Sequence, residues 1–328
     1  MWANALQEAA AFIRDRDDFL VVSHVQPDGD AISSTVAIGW LLAKLGKTYT
    51  MLNEGPVPSR LRYLWRSDDI VTIGEDGAPT RHYRNVICVD CADYARIGRG
   101  QAWVAEGADV LNIDHHPTND AYGLVNVLRF DAAATAEIII ALIDEMAYPI
   151  DADVATAIYT GILTDTGGFR YANTSPDVMA IASRLLQAGV NGPELAELLL
   201  ERMSVGQMQM IQRGLSRLSF SEDHRIAWLW VTSEDLADTG ATNEDLEGLV
   251  NYPRNIEGVE VGLLFKANGE TSVKVSLRSS GLVNVAAVAQ HFGGGGHVRA
   301  AGCRLTEPLD EVVSQVVSVV RKALDAHE

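Results

Sequence analysis

The run FLVVSHVQPDGDAISSTVAIGW, residues 19 to 40, decides the architecture. Its first four residues, Phe19 to Val22, are apolar without alternation, as in a strand buried on both faces. Pro27 and Gly29 then force a tight loop, and from Ala31 to about residue 45 the apolar spacing is helical. A buried strand joined to a helix through a short polar loop is the opening of a βαβ unit. The loop carries His24, Asp28 and Asp30, and the carboxylates flanking Gly29 can turn toward a common centre because no side chain stands between them.

Two further apolar runs end in the same way, NVICVD at 85 to 90 and DVLNIDHH at 109 to 116. With an amphipathic start at 2 to 14, strands near 48 to 52 and 124 to 127, and helices near 133 to 146 and 151 to 164, the first half alternates strand and helix. This predicts an α/β fold, a mostly parallel sheet with helices on both faces. A break at Gly189-Val190-Asn191-Gly192-Pro193 precedes a helical stretch to about Arg217. Beyond it the pattern changes to strands at 225 to 231, 259 to 267 and 271 to 278, with Asn268-Gly269 a hairpin turn, and helices at 242 to 251, 284 to 290 and 309 to 325. The expected domains are a catalytic α/β domain over 1–190, a helical linker over 191–216, and a smaller α+β domain over 217–328.

Composition narrows the class. The chain has 328 residues, more than single cores usually hold. Its 47% hydrophobic and 21% charged residues are those of an ordinary globular protein. A formal net charge of -18 argues against nonspecific gripping of long nucleic acid, so anionic substrates would be short and met by metal ions or a local positive patch. Cys88, Cys91 and Cys303 make no disulfide framework, and the single C-x-x-C lacks the second pair of a zinc site. No secretory pattern opens the chain, and the apolar run IIIALI at 138 to 143 is too short to span a bilayer, so cytoplasmic residence without membrane attachment is expected.

Strand ends in an open α/β sheet are where ligands bind, which gathers His24, Asp28, Asp30, Asp90, Asp114, His115 and His116 into one constellation. A carboxylate at the mouth of a core is costly unless paired or bound to a metal. Oxygen-rich sites with some imidazole suit Mn²⁺ or Mg²⁺. An EF-hand is excluded, because AISSTVAIGW after Asp30 is apolar and offers no further oxygens. Asp165, before Thr166-Gly167-Gly168, ends a helix and joins the candidate ligands.

HVQPDGD, Asp90, the D-H-H of 114 to 116 and Asp165-Thr166-Gly167 together resemble the DHH phosphoesterases, and GGGGHVRAAG at 293 to 302 looks like the glycine-rich motif of the DHH-associated domain. The likeness is greatest to the two-domain branch that acts on nanoRNA and on 3′-phosphoadenosine-5′-phosphate (pAp). It implies two Mn²⁺ ions, with Mg²⁺ as an alternative: His24, Asp28 and Asp90 holding one, and Asp30, Asp90, His115 and Asp165 holding the other. It further implies Asp90, Asp114 and His116 as catalytic residues, Asp114 orienting the histidines and His116 facing the substrate phosphate. Arg278, His297, Gly295, Gly296 and Arg96 would bind substrate. One departure is Ser33, where many relatives have glycine after D-G-D-A-I. The implied activity is hydrolysis of short RNA to mononucleotides and removal of the 3′-phosphate of pAp, by water activated between two metals. Short RNA and nucleotide phosphates are the expected partners, and a homodimer is compatible with such a chain. Competing readings are a phosphodiesterase for cyclic or linear dinucleotides, and a degenerate member that binds nucleotide without turnover.

Overall fold

Six parallel strands form the N-terminal sheet: β1 (Phe19–Val22), β2 (Tyr49–Asn53), β3 (Val71–Thr72), β4 (Tyr83–Val89), β5 (Val104–Asp114) and β6 (Val125–Leu128). The computed structural model describes residues 2–74 and 80–326, and the chain divides into two units, Met1–Arg202 and Met203–Glu328. In the first unit the strand order is β3-β2-β1-β4-β5-β6, so the winding reverses between β1 and β4. Such a reversal opens a crevice beyond the C-terminal ends of those two strands.

Phe19 and Val21 enter one core and Leu20 and Val22 the other, which is why the opening run shows no alternation. Helices α1 (Trp2–Asp15), α2 (Gly29–Lys44), α3 (Thr135–Glu145), α4 (Ala152–Asp165), α5 (Pro176–Gln187) and α6 (Gly192–Ala196) all contribute to the first core. The second is closed by the 3-10 helix Tyr94–Trp103, so α-helices cover one face and a 3-10 helix the other. Every residue of α2 from Gly29 to Leu42 is buried, the mark of a helix enclosed on all sides. Trp40 of α2 donates its indole N–H to Asp151 Oδ2 (3.1 Å), and Asp151 caps α4 by accepting from Val154 N (3.2 Å). No helix of the described residues is long and apolar enough to cross a membrane.

The stretch 193 to 217, expected as one helix, is broken. After α6 a π turn runs over Glu197–Glu201 and Arg202 is extended (ψ 131°). Helix α7 (Val205–Ser216) starts afresh on Ser204, whose Oγ accepts from Gln207 N (2.8 Å), and lies in the second unit.

The second unit is built on a sheet of β7 (Ser219–Phe220), β8 (Ile226–Thr232), β9 (Val261–Ala267), β10 (Val273–Ser279), β11 (Gly295–His297) and β12 (Ala300–Leu305), in the order β11-β12-β10-β9-β8-β7. All its pairings are antiparallel except β8 with β9. Helices α10 (Val285–His291) and α11 (Leu309–Asp325) share a core with the odd-numbered residues of β9, β10 and β12. Helices α7, α8 (Ser233–Thr239) and α9 (Asn251–Arg254) belong to the opposite side, where Met210, Ile211 and Leu249 meet Leu229, Val231 and Leu264. The helix expected over 242 to 251 does not form. A 3-10 turn at Glu244–Leu246 is followed by Gly248 at φ 78°, a left-handed residue that ends any helical path. The glycine run supplies a strand at Gly295–His297; Gly296 has φ 142°, and a Cβ there would come within 2.5 Å of the Ala300 carbonyl oxygen.

Asp235 fastens α8. Its carboxylate accepts from Thr232 N (2.8 Å), from Arg213 Nη1 (2.8 Å) and from Arg217 Nη2 (3.0 Å), while Thr232 Oγ1 accepts from Asp235 N (3.1 Å). The Arg217 bond first, against burial and aided by Arg213, holds this carboxyl well below the usual range. Its stabilisation is therefore present above the unfolded pKa of 3.8 and is lost as pH falls through the lower folded value. Asp235→Ala is expected to cost about 3 kcal/mol at neutral pH, because it removes the carboxylate that two arginines share and a helix cap. Urea unfolding at pH 7 and pH 3 should show the loss shrinking in acid, and a loss below about 1 kcal/mol at pH 7 would refute it.

Candidate metal centre

The three polar strand ends meet at the reversal between β1 and β4. Beyond β1, His24 Nδ1 lies 2.9 Å from the Val25 carbonyl, which holds the ring through Nδ1 and turns Nε2 toward the carboxylates. That Nε2 is 3.4 Å from Asp90 Oδ2 and 3.8 Å from Asp28 Oδ2. Asp28 is the N-cap of α2, accepting from Ala31 N (3.1 Å), and it is exposed. Its neighbour across Gly29, Asp30, is 1% exposed.

Asp30 serves a distant helix. The N-cap position of α3, Ala134, has no acceptor on its side chain, and Asp30 fills the role instead: Oδ2 accepts from Thr135 N (2.6 Å) and Oδ1 from Ala136 N (3.0 Å). Thr135 is fully buried, and its Oγ1 donates to Asp90 Oδ1 (3.0 Å). One residue thereby holds both carboxylates. Close approach of α4 makes room for this, since a Cβ on Gly161 would lie 2.7 Å from Asp30 Oδ1 and 3.3 Å from Ser33 Cβ. The side chain of Ser33, the departure noted above, is accommodated opposite that glycine.

Asp90 follows β4 with φ 58°, a left-handed backbone that non-glycine residues seldom adopt and that clusters at functional sites. Its carboxylate, 2% exposed, faces His24, His115 (Nε2 to Oδ1, 3.6 Å) and His116 (Nδ1 to Oδ1, 3.6 Å). His115 Nδ1 lies 3.2 Å from the Ala132 carbonyl, and its Nε2 lies 3.4 Å from Asp165 Oδ2 at the end of α4. Asp114, fully buried, contacts His116 (Oδ1 to Nδ1, 2.7 Å), while Asn119 donates to its Oδ2 (2.7 Å). Of the two histidines, then, the carboxylate behind them holds His116 and a carbonyl holds His115.

The charges oppose one another. Burial and then the charges of Asp90 and Asp28 push the Asp30 carboxyl far up; burial and then Asp30, Asp28 and Asp90 do the same to Asp165. For Asp90 burial acts upward, but the His24 bond and the three imidazoles outweigh it and hold the carboxyl far below the usual range. Burial opposes protonation of His24, yet Asp90 and Asp28 raise it to about 9; His116 is likewise raised, against burial, by Asp114 and Asp90.

The donors fall into groups whose ligand atoms lie within 4.8 Å of one another: His24, Asp28 and Asp90; Asp30, His115 and Asp165; and Asp90, Asp114 and His116. Carboxylates that repel one another in a buried crevice, each group with one imidazole, fit hard divalent ions. None of these groups contains cysteine, and Cys88 and Cys91 are buried on the second face of the sheet, burial pushing the Cys88 thiol up to about 12.

Arg96, in the 3-10 helix after β4, donates its backbone N–H to the cap Asp93 (3.1 Å), and its carbonyl accepts from Val25 N (2.8 Å). Its charge opposes protonation of both His24 and His116, so it stands beside the cluster. In the second unit Arg278 pairs with Ala300 across β10 and β12, and Ala300 with His297 across β12 and β11, so Arg278 and His297 share one cross-strand row. Gly295 and Gly296 precede His297 on the exposed strand β11.

The sequence reading missed Thr135 and Asn119, whose only local signal is a polar residue beside a small-residue or histidine run. Thr135→Val, which keeps the shape and removes the hydroxyl, is expected to weaken Mn²⁺ binding by about 10-fold to 100-fold. Thr135→Ser should restore it, and calorimetric titration with Mn²⁺ would read both. Equal affinity in the valine variant would exclude the role.

The model of the DHH family, N-terminal domain, matches residues 18–162, and that of the DHHA1 domain matches residues 226–326. The chain is 36% identical over 305 residues to the bifunctional oligoribonuclease and PAP phosphatase NrnA of Thermus thermophilus, covering 93% of this chain and 89% of that one. Its identity to the protein of the same name from Bacillus subtilis is 27%, over 88% of this chain and 90% of that one. Among solved structures it is similar to an exopolyphosphatase-related protein from Bacteroides fragilis, with a TM-score of 0.88 and 26% identity over 99% of this chain and 96% of that one. With the D-H-H cluster at the reversal of one sheet and a DHHA1 sheet following it, the chain belongs to the DHH family of phosphoesterases.

Proposed function

We propose that this protein hydrolyses short RNA oligonucleotides to mononucleotides and removes the 3′-phosphate of pAp, acting in the cytoplasm with two Mn²⁺ ions. The observation that carries the reading is Asp90, one buried carboxylate within 3.6 Å of three histidines and a member of two of the donor groups. His24, Asp28 and Asp90 would hold one ion, and Asp30, Asp90, His115 and Asp165 the other. When bound, such ions polarise a phosphoryl oxygen and lower the pKa of water.

The chain's own residues supply the rest. Asp114 fixes the His116 ring through Nδ1, which leaves the Nε2 edge to meet a phosphoryl or leaving oxygen. Arg96 adds positive charge beside it, and Arg278, His297, Gly295 and Gly296 would take the terminal phosphate or nucleotide. Relatives covering most of this chain and named for both activities support the pairing of substrates. The test is a Mn²⁺-dependent hydrolysis panel of a 5′-phosphorylated RNA dinucleotide, a longer RNA, pAp, cyclic di-AMP and pyrophosphate. Turnover of the dinucleotide and pAp above the other three is expected. Preference for cyclic di-AMP would replace the reading, and no turnover of any would remove it.

A further inference from the structure

Asn112 of β5 stands directly opposite Asn126 of β6, and Asn112 is fully buried between the core residues Leu111 and Ile113. A buried amide is costly unless it is paired, and here the pairing has a single direction. Asn126 Oδ1 accepts from Gly123 N (3.0 Å) while its Nδ2 donates to the Gly123 carbonyl (2.7 Å), which fixes the end of that amide facing Asn112. Asn112 Nδ2 then donates both to Asn126 Oδ1 (3.1 Å) and to Asn119 Oδ1 (2.9 Å). Asn119 Oδ1 also accepts from Ala121 N (2.8 Å). The N–H groups of Asn119 are thereby directed at Asp114 Oδ2 (2.7 Å) and the Cys91 carbonyl (3.0 Å), with a longer contact to Asn112 Oδ1 (3.4 Å). A flipped amide would set oxygen against oxygen at Asp114 and N–H against N–H at Ala121. Gly123 leaves room for the chain, since a Cβ there would lie 3.0 Å from Asn112 Cβ and from Asn126 Oδ1.

The loop that carries Asn119 is fastened to the residues after Asp90. Tyr122 Oη donates to the Cys91 carbonyl (3.2 Å), and Asp120 N to the Ala92 carbonyl (3.2 Å). Asp114 has one oxygen for Asn119 and the other for His116, whose Nδ1 lies 2.7 Å from Asp114 Oδ1 and 3.6 Å from Asp90 Oδ1. A carboxylate bonded through one oxygen alone can turn about its terminal torsion, which is broad, and carry the imidazole with it. The bond at Oδ2 removes that freedom.

We infer that Asn119 is a positioning residue for phosphoester hydrolysis: through Asp114 it sets the tilt of the His116 ring, and through the Cys91 carbonyl it ties that ring to the turn carrying Asp90. This rests on the function proposed above, in which the Nε2 edge of His116 meets a phosphoryl or leaving oxygen. The side-chain bonds of Asn119 go to Asp114, Cys91, Asn112 and Ala121, none of them a candidate metal ligand. Its loss should therefore fall on turnover, with metal content and substrate affinity kept.

The test is a double-mutant cycle in the full-length protein with Asn119→Leu, close to asparagine in shape, and His116→Ala. On pAp with Mn²⁺, Asn119→Leu alone is expected to lower kcat by about 10-fold to 100-fold with KM within about threefold, and metal analysis should find as much Mn²⁺ as in the parent. In the His116→Ala background the same substitution should change kcat by less than about twofold, because the group it positions is gone. An asparagine that only supports the fold would cost the same in both backgrounds. That additivity, or a single variant with kcat within about threefold of the parent, would overturn the inference. Should the leucine variant not fold, Asn119→Asp keeps the Oδ1 bonds to Ala121 and Asn112, removes the amide donors, and is read through the same cycle in mildly alkaline buffer. If the parent turns over another member of the panel in place of pAp and RNA, the proposed function fails and the cycle is run on that substrate. Without turnover, in EDTA, the downfield imidazole N–H resonance of His116, identified by its loss in His116→Ala, should exchange faster with water in Asn119→Leu. An unchanged exchange rate would equally overturn the role.

Discussion

Asp90→Asn is expected to cut hydrolysis of pAp and of RNA dinucleotide by about 10³-fold or more, with bound Mn²⁺ falling in parallel. The substitution keeps the side chain's shape and removes its charge. In the protein as it stands, that charge lies within 3.6 Å of His24, His115 and His116 and receives the Thr135 hydroxyl. No other carboxylate of the cluster faces all three imidazoles. Asp165→Asn should therefore do less, because Asp165 meets His115 alone among the histidines. Metal analysis of the purified variants, beside steady-state rates, gives the ranking. Activity in Asp90→Asn above about a tenth of the parent would defeat the shared-carboxylate reading.

Stripping the ions should be as visible in stability as in rate. Two ions at about a hundred times their dissociation constants contribute about 5 kcal/mol together, or about 10 to 20 °C for a domain of this size. The physical source is the burial of Asp30 and Asp165 and then the repulsion among Asp28, Asp30, Asp90 and Asp165, which together raise the Asp30 and Asp165 carboxyls. Scanning calorimetry in EDTA and in excess Mn²⁺ would measure the shift. It should fall on the transition of the N-terminal unit, with that of the C-terminal unit unmoved. Equal shifts of both, or none, would refute a metal site confined to the first unit.

What could be read in the chain follows from locality. Phe19 to Val22, Val86 to Val89 and Val110 to Ile113 are buried strands whose ends place polar residues within a few positions, so the candidate ligands appear as strand-end punctuation. The hairpin at Asn268-Gly269 likewise set Lys266 opposite Lys274. The strand at Ala300–Leu305 did not show itself beside a glycine run. Gly248 inside an otherwise helical pattern misled the reading of 242 to 251, because a left-handed residue is decided by backbone geometry that hydrophobic spacing does not report.

The sequence by itself determined which residues are candidates for the chemistry: His24, Asp28, Asp30, Asp90, Asp114, His115, His116 and Asp165 stand at ends of elements, where short-range rules apply. Only the tertiary structure decided how they are held. Asp30 caps a helix that begins 105 residues later, Thr135 joins two carboxylates from separate strand ends, and Asp114 belongs to one histidine and not the other. These contacts satisfy polar groups that folding buries, and a partner for a buried group is chosen by what packs beside it in space, which no spacing along the chain records.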